Sequence, residues 1–306
     1  MVSVQQIQYI VTVAEECQFQ RASERCFVTQ PTLSMQVKKA EETLGHLIFD
    51  RSRSPLALTN YGKTLLPILR DILSEYDKIG DLAKKRSGTF KEQVKIAVIP
   101  TIAGYMIPSL YDKWRDVLEH VDLIIEEMKT EEIIVALEEK KIDLGILAGP
   151  IKHPKWRTSV LYHEEIYAYA PQLDKKVVTP SELERHHPWL LTKGNCLRTQ
   201  MIHFCELKNQ KTSNWNYEGG NIELLVKMVD LHEGYTLIPS NYLELLEVDQ
   251  FIRIQSEKSN EFPAREIIAV SSNRTPKWKT MEKLIREIQL NYNTYSKENL
   301  KLLTWN

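Results

Sequence analysis

Cys196 and Cys205 are the residues of this 306-residue chain whose type and spacing most directly offer chemistry. They close the run Asn195-Cys196-Leu197-Arg198-Thr199-Gln200-Met201-Ile202-His203-Phe204-Cys205. Gly194 reads as the end of a strand and Asn195 as a helix N-cap. Cys196 then falls in the first helical turn, where the positive helix end and free N–H groups favour a thiolate and Arg198 adds a cation. If the segment is helical, nine residues separate the two Cα atoms by about 13.5 Å along the axis, against the roughly 4.4–6.8 Å of a disulfide. Bond formation then requires the helix to unwind, making the segment a two-state element biased by redox chemistry. The competing reading is two buried, inert thiols.

Little else in the chain offers chemistry. Cys17 and Cys26 complete a set of four cysteines, too sparse for a disulfide scaffold. They are also nine apart, but they fall among short helices where a small apolar side chain suffices. His153, His163, His186 and His187 lack metal-ligand spacing, and there is no Walker loop, Gly-x-Ser-x-Gly or Cys-x-x-Cys. Neither metal nor cofactor is expected. With 42% hydrophobic residues the chain has material for ordinary cores, and its length suggests about two domains. No apolar run approaches the roughly 18 residues of a membrane span, and the N-terminus lacks a signal-peptide pattern, so no membrane contact and a cytoplasmic location are expected. Residues 1–90 carry 12 Lys+Arg against 10 Asp+Glu and the remainder 28 against 31, so the slightly basic part is N-terminal.

That basic part reads as short helices. Ile7, Ile10, Val11 and Ala14 form an amphipathic stripe, and Phe19 to Phe27 carries a second short helix. Pro31 suits a first helical turn, so Thr29 or Gln30 caps a third helix running to about Leu44 and ended by Gly45. Ile48 to Thr59 is short, basic and broken by Ser and Pro, as a two-stranded wing is. Thr59 then caps a long helix over Asn60–Arg86, in which Leu65, Leu69, Ile72, Tyr76, Ile79 and Ala83 keep the spacing of a dimerising coiled-coil seam. Ser87-Gly88-Thr89 breaks that helix as a hinge.

From Val94 onward strands alternate with helices, at Val94–Pro100, Val121–Ile125, Asp143–Ala148, Glu165–Ala170, Trp189–Thr192, Tyr235–Pro239 and Glu266–Ser271. The pattern predicts mostly parallel α/β sheets, which bind ligands at the carboxyl ends of their strands. Thr101 and Thr130 each follow a strand and are candidate ligand contacts; helix capping is the alternative role. In the N-terminal part, a helix, a turn and a helix with a polar start suit the major groove of double-stranded DNA. Thr29, Gln30, Thr32, Ser34 and Gln36 are candidate base or phosphate contacts, and Lys38, Arg51 and Arg53 phosphate contacts.

The wording Ala22-Ser23-Glu24-Arg25, Val28-Thr29-Gln30-Pro31-Thr32-Leu33-Ser34, Ile48-Phe49-Asp50-Arg51 and Leu58-Thr59-Asn60-Tyr61-Gly62 resembles LysR-type transcriptional regulators, and the likeness runs end to end. It implies a winged helix-turn-helix at 1–59, a linker helix at 60–88 and an α/β regulatory domain at 89–306. The regulatory domain would hold two periplasmic-binding-protein-like subdomains, roughly 89–162 with 268–306, and 163–267. The expected partners are an operator in promoter DNA, RNA polymerase and further copies of the chain in a homodimer or homotetramer. Within that family, Cys-Leu-Arg-x-Gln with a second cysteine nine residues on resembles the hydrogen-peroxide sensors of the OxyR group. By position this implies Cys196 as peroxidatic thiol, Cys205 as resolving thiol, and Thr101, Thr130, Arg198 and Arg265 around the peroxide. It also implies a thiol reductant for resetting and no enzymatic turnover. The chain departs from the group by carrying Asn195 in place of a histidine and Thr199 in place of an aspartate, so activation must rest more on Arg198 and the helix end. A LysR-type regulator of a small metabolite and a thiol peroxidase are the competing functions.

Overall fold

In a computed structural model the described residues are 1–86, 91–117, 121–192, 194–204, 220–246, 251–257, 259–292 and 299–303. The expected hinge at Ser87–Thr89 and the thiol of Cys205 lie outside them. The chain divides into one unit built on Met1–Phe90 and another on Lys91–Leu137 and Lys141–Asn306.

The first unit begins with α1 (Val4–Glu16), α2 (Phe19–Arg25) and α3 (Gln30–Leu44). Ser3 and Gln6 close a reciprocal capping box that starts α1. Its apolar stripe packs Ile7, Ile10 and Val13 against Ala22 of α2 and Leu33, Val37 and Ala40 of α3. Gly45 ends α3 in the left-handed conformation at φ 73°. The wing follows as β1 (Phe49–Asp50) antiparallel to β2 (Ala57–Leu58). A buried carboxylate ties it to α3: Glu41 accepts hydrogen bonds from the backbone N–H of Ile48 at 2.8 Å and of Phe49 at 3.2 Å, and pairs with Arg51 at 3.2 Å. Glu41→Ala strands two buried donors at about 1–3 kcal/mol, so amide exchange at Ile48 and Phe49 is expected to accelerate at least several-fold; unchanged exchange would show that Glu41 does not hold the wing.

Thr59 accepts from the Gly62 N–H at 3.0 Å and so caps α4 (Asn60–Arg86). A side chain on Gly62 would strike the Ile48 carbonyl, so the close helix–wing contact needs glycine there. The expected seam of α4 is divided. Leu65 and Leu69 belong to the core of their own unit, because the first turns of α4 lie on α1. Ile68, Ile72, Tyr76 and Ile79 remain exposed.

In the second unit the sheet order is β4 (Val121–Glu127), β3 (Glu92–Val98), β5 (Leu144–Ala148), β10 (Phe262–Ser272), β6 (Trp156–Tyr169), β9 (Ile252–Ile254) and β7 (Val177–Val178). β8 (Thr236–Pro239) pairs with β6, and β11 (Leu300–Leu302) with β10. Helices α5 (Pro100–Val117), α6 (Thr130–Glu138), α7 (Pro180–Leu183), α8 (Cys196–Phe204), α9 (Ile222–His232) and α10 (Trp278–Tyr292) complete it.

The sheet corrects the expectation of mostly parallel pairing. β3 is parallel to β4 and β5, β7 to β9, and β10 to β11, but β10 runs antiparallel to β5 and β6, and β6 antiparallel to β8 and β9. The cause is the length of β6 and β10, at 14 and 11 residues. They run beside each other along Trp156–Glu165 and Ala264–Ser272, and such antiparallel neighbours need no helical crossover to pair. Nor is Trp189–Thr192 a strand. Pro188 and Tyr235 form an isolated bridge, since Pro188 has no N–H to extend the ladder. No helix among the described residues is long and apolar enough to cross a membrane.

Candidate functional site

Cys196 is the first residue of α8. Gly194 takes φ 84° before it, and Asn195 Oδ1 accepts from the Leu197 N–H at 3.0 Å, so the helix start is capped as its sequence suggests. The thiol is 6% exposed and in hydrogen-bond contact with the hydroxyl of Thr130, the first residue of α6. Burial raises the Cys196 thiol above the ordinary cysteine value, against the contact with Thr130 and the charge of Arg265, both of which favour the thiolate. The cation acting on the thiol is therefore Arg265. Arg198 directs Nη1 to the Leu191 carbonyl at 2.6 Å, while the backbone N–H at the helix start favours the thiolate as the sequence suggests.

Arg265 is fully buried. Its Nε donates to Glu164 Oε1 at 2.6 Å, its Nη1 to Thr101 Oγ1 at 2.9 Å and its Nη2 to the Thr101 carbonyl at 3.1 Å. Burial alone would lower its pKa, but Glu164 and the hydroxyls of Tyr105 and Tyr162 raise it, so the guanidinium stays charged. Glu164, also fully buried, accepts from Tyr105 at 3.0 Å and from Asn241 Nδ2 at 3.1 Å through Oε2. Tyr105 also hydrogen-bonds Tyr162, and burial pushes both phenols well above their ordinary value, followed by the charge of Glu164 for Tyr105 and by the neighbouring Tyr105 for Tyr162. A buried ion pair persists only when its remaining polar positions are satisfied, and here the threonine, tyrosine and asparagine partners satisfy them.

The structure thus brings Thr130 to Cys196 and Thr101 to Arg265, the cation acting on that thiol, while Arg198 faces the Leu191 carbonyl. Glu164, Tyr105, Tyr162 and Asn241 were not singled out from sequence. A signal existed for Glu164: Glu164 and Glu165 are adjacent in a strand, so alternation points them to opposite faces, and a strand covered on both faces must bury both. Glu165 is met by Arg253 at 2.7 Å. Gln200, one turn along α8 from Cys196, is also fully buried; its Nε2 donates to the Leu303 carbonyl at 3.2 Å, and its Oε1 has no partner among the described residues.

In the first unit, Thr29 and Thr32 are exposed at the start of α3, with their hydroxyls 2.8 Å apart. Gln30 and Ser34 are half-buried, and Gln36 accepts from Gln6 at 3.1 Å. Lys38 stands exposed, 3.9 Å from Glu42. Arg51 pairs with Glu41 and lies over the Phe19 ring, while Arg53 pairs with Asp50 at 3.1 Å. Since the Lys38–Glu42 pair is long and solvated, Lys38 stays available to phosphate. Lys38→Ala is expected to lower the slope of log K against log salt by about 0.9; an unchanged slope would remove Lys38 from the phosphate contacts.

The chain is 26% identical over 279 residues to the HTH-type transcriptional regulator EstR of Acinetobacter baylyi, covering 90% of this chain and 92% of that one. It is 27% identical over 242 residues to the DNA-binding transcriptional dual regulator OxyR of Escherichia coli, covering 78% and 79%. A full-length OxyR variant from Pseudomonas aeruginosa superposes with a TM-score of 0.77 at 27% identity, over 97% of this chain and 99% of that one. Residues 4–63 match the lysR-family bacterial regulatory helix-turn-helix model and residues 87–291 the LysR substrate binding domain. With α1 to α3 and the wing under the first match and the Cys196 site under the second, the chain belongs to the LysR family of bacterial transcriptional regulators.

Proposed function

We propose that this regulator senses hydrogen peroxide through Cys196 and Cys205 and controls oxidative-stress genes. The observation that carries the reading is the buried Cys196 thiol on the Thr130 hydroxyl, with the charge of a fully buried arginine favouring its thiolate. Similarity to hydrogen peroxide-inducible genes activators supports it.

The Cys196 thiolate attacks one peroxide oxygen; an S–O bond forms as the O–O bond breaks, and the departing hydroxide takes a proton to become water. The Cys205 thiolate then attacks the Cys196 sulfur, forming the S–S bond as the S–O bond breaks and a second water leaves. Two thiols thus supply the two electrons that reduce one peroxide, and a thiol reductant resets the pair. Phe204 ends α8 about 12 Å along the axis from Cys196, and one further residue spans at most about 3.8 Å. A disulfide at position 205 therefore requires α8 to open, which converts oxidation into a change of conformation.

The remaining assignments belong to the same reading. Thr101, Thr130 and Arg265 surround the peroxide, with Arg198 in support. Thr29, Gln30, Thr32, Ser34, Gln36, Lys38, Arg51 and Arg53 meet operator DNA, and Ile68, Ile72, Tyr76 and Ile79 of α4 meet a second copy of the chain. The regulatory part, 89–306, works as two subdomains, and a tetramer acts at the promoter with RNA polymerase.

Peroxide consumption with a thiol reductant present tests the reading. A sensor consumes about one equivalent per subunit and then no more than its slow resetting permits. Sustained rapid turnover would identify a thiol peroxidase, and no consumption at all would favour a regulator of a small metabolite.

A further inference from the structure

We propose that Met35 reads the C5-methyl group of thymine in the major groove, making it a specificity-determining residue of α3. Met35 is 61% exposed, so its apolar side chain gains free energy from burial against a partner. Its position gives the exposure a purpose. On a helix of 3.6 residues per turn it lies beside Pro31 and Thr32 on one side and Lys38 and Lys39 on the other, all of them exposed. The buried residues Leu33, Val37, Ala40 and Glu41 occupy the opposite side. Met35 is thus at the centre of the surface that the helix-turn-helix offers to the groove, between polar groups at the start of α3 and the lysines that suit phosphate.

The polar side chains near it reach DNA only in part, because each already has an internal partner or is half-buried. Gln36, the residue able to read adenine bidentately, accepts from Gln6 of α1. The Thr29 and Thr32 hydroxyls bond each other, and Ser34 is half-buried. In the second turn of α3 the outward group available at base depth is therefore a flexible thioether with no donor. Among the base edges of the major groove, the one that rewards an apolar contact is the thymine methyl. Loss of one buried methyl contact corresponds to about a fourfold change in affinity.

The test uses full-length reduced protein and an operator duplex recovered with it from a random-sequence pool. Each thymine of a half-site is replaced in turn by deoxyuridine, which removes only the methyl group. At one or two positions the wild-type protein is expected to lose about fourfold in affinity. Met35→Ala is expected to bind the thymine operator about fourfold more weakly, to show no deoxyuridine penalty at those positions, and to keep the non-specific affinity and salt slope of the wild type. Retention of the full deoxyuridine penalty by Met35→Ala, or absence of any penalty in the wild type, overturns the assignment. The outcome does not depend on Cys196, so a failure of peroxide sensing leaves it intact.

Discussion

Cys196→Ser is expected to abolish the peroxide response at a regulated promoter while the reduced protein keeps its affinity for DNA. Serine preserves size and the contact with Thr130, but its oxygen cannot form the S–O and S–S bonds of the two oxidation steps. Cys196 belongs to the second unit, whereas the proposed DNA contacts of α3 and the wing belong to the first, so binding by the reduced form is expected to be unchanged. Cys17 is exposed and Cys26 half-buried, in the other unit. A transcript measurement before and after peroxide decides the matter: a variant that still responds like the wild type would end the sensor model.

Arg265→Met is expected to have the second largest effect, on stability and reactivity together. It leaves Glu164 buried without its cation, a loss of about 3–5 kcal/mol for a broken buried pair, read in the denaturation midpoint of the second unit. It also removes the charge that favours the Cys196 thiolate. The thiol, already raised by burial, rises further, and because the thiolate is the nucleophile, peroxide reacts more slowly at any pH below the thiol's titration. Adding Glu164→Gln restores part of the stability, since no uncompensated charge remains, but not the rate. Recovery of both together would mean that Arg265 acts on Cys196 through packing alone, and unchanged stability in the single variant would contradict the buried pair.

What could be read from sequence followed the range of the interactions. The capped start of α4 at Thr59, the end of α3 at Gly45 and the helix beginning at Cys196 are local, with each determinant within a few residues of its effect. The Thr101–Arg265 bond spans 164 residues and the Glu164–Arg265 bond 101, so no spacing rule shows Glu164 as the partner of the arginine. Arg198 is near Cys196 in sequence, but its Nη1 meets the Leu191 carbonyl, while the charge that favours the Cys196 thiolate comes from Arg265, 69 residues away in the chain. The parallel sheet failed for a similar reason. β-branched runs announce strands, but their direction depends on whether a connection crosses over or a long strand continues past its neighbour, as β6 and β10 do.

The most direct test of the central claim is the thiol state of Cys196 and Cys205, mapped by mass spectrometry after the reduced protein meets a small excess of hydrogen peroxide. A Cys196–Cys205 disulfide formed within seconds, preceded in a Cys205→Ser variant by a sulfenic acid on Cys196, is the predicted result. Two free thiols after the same exposure would contradict it.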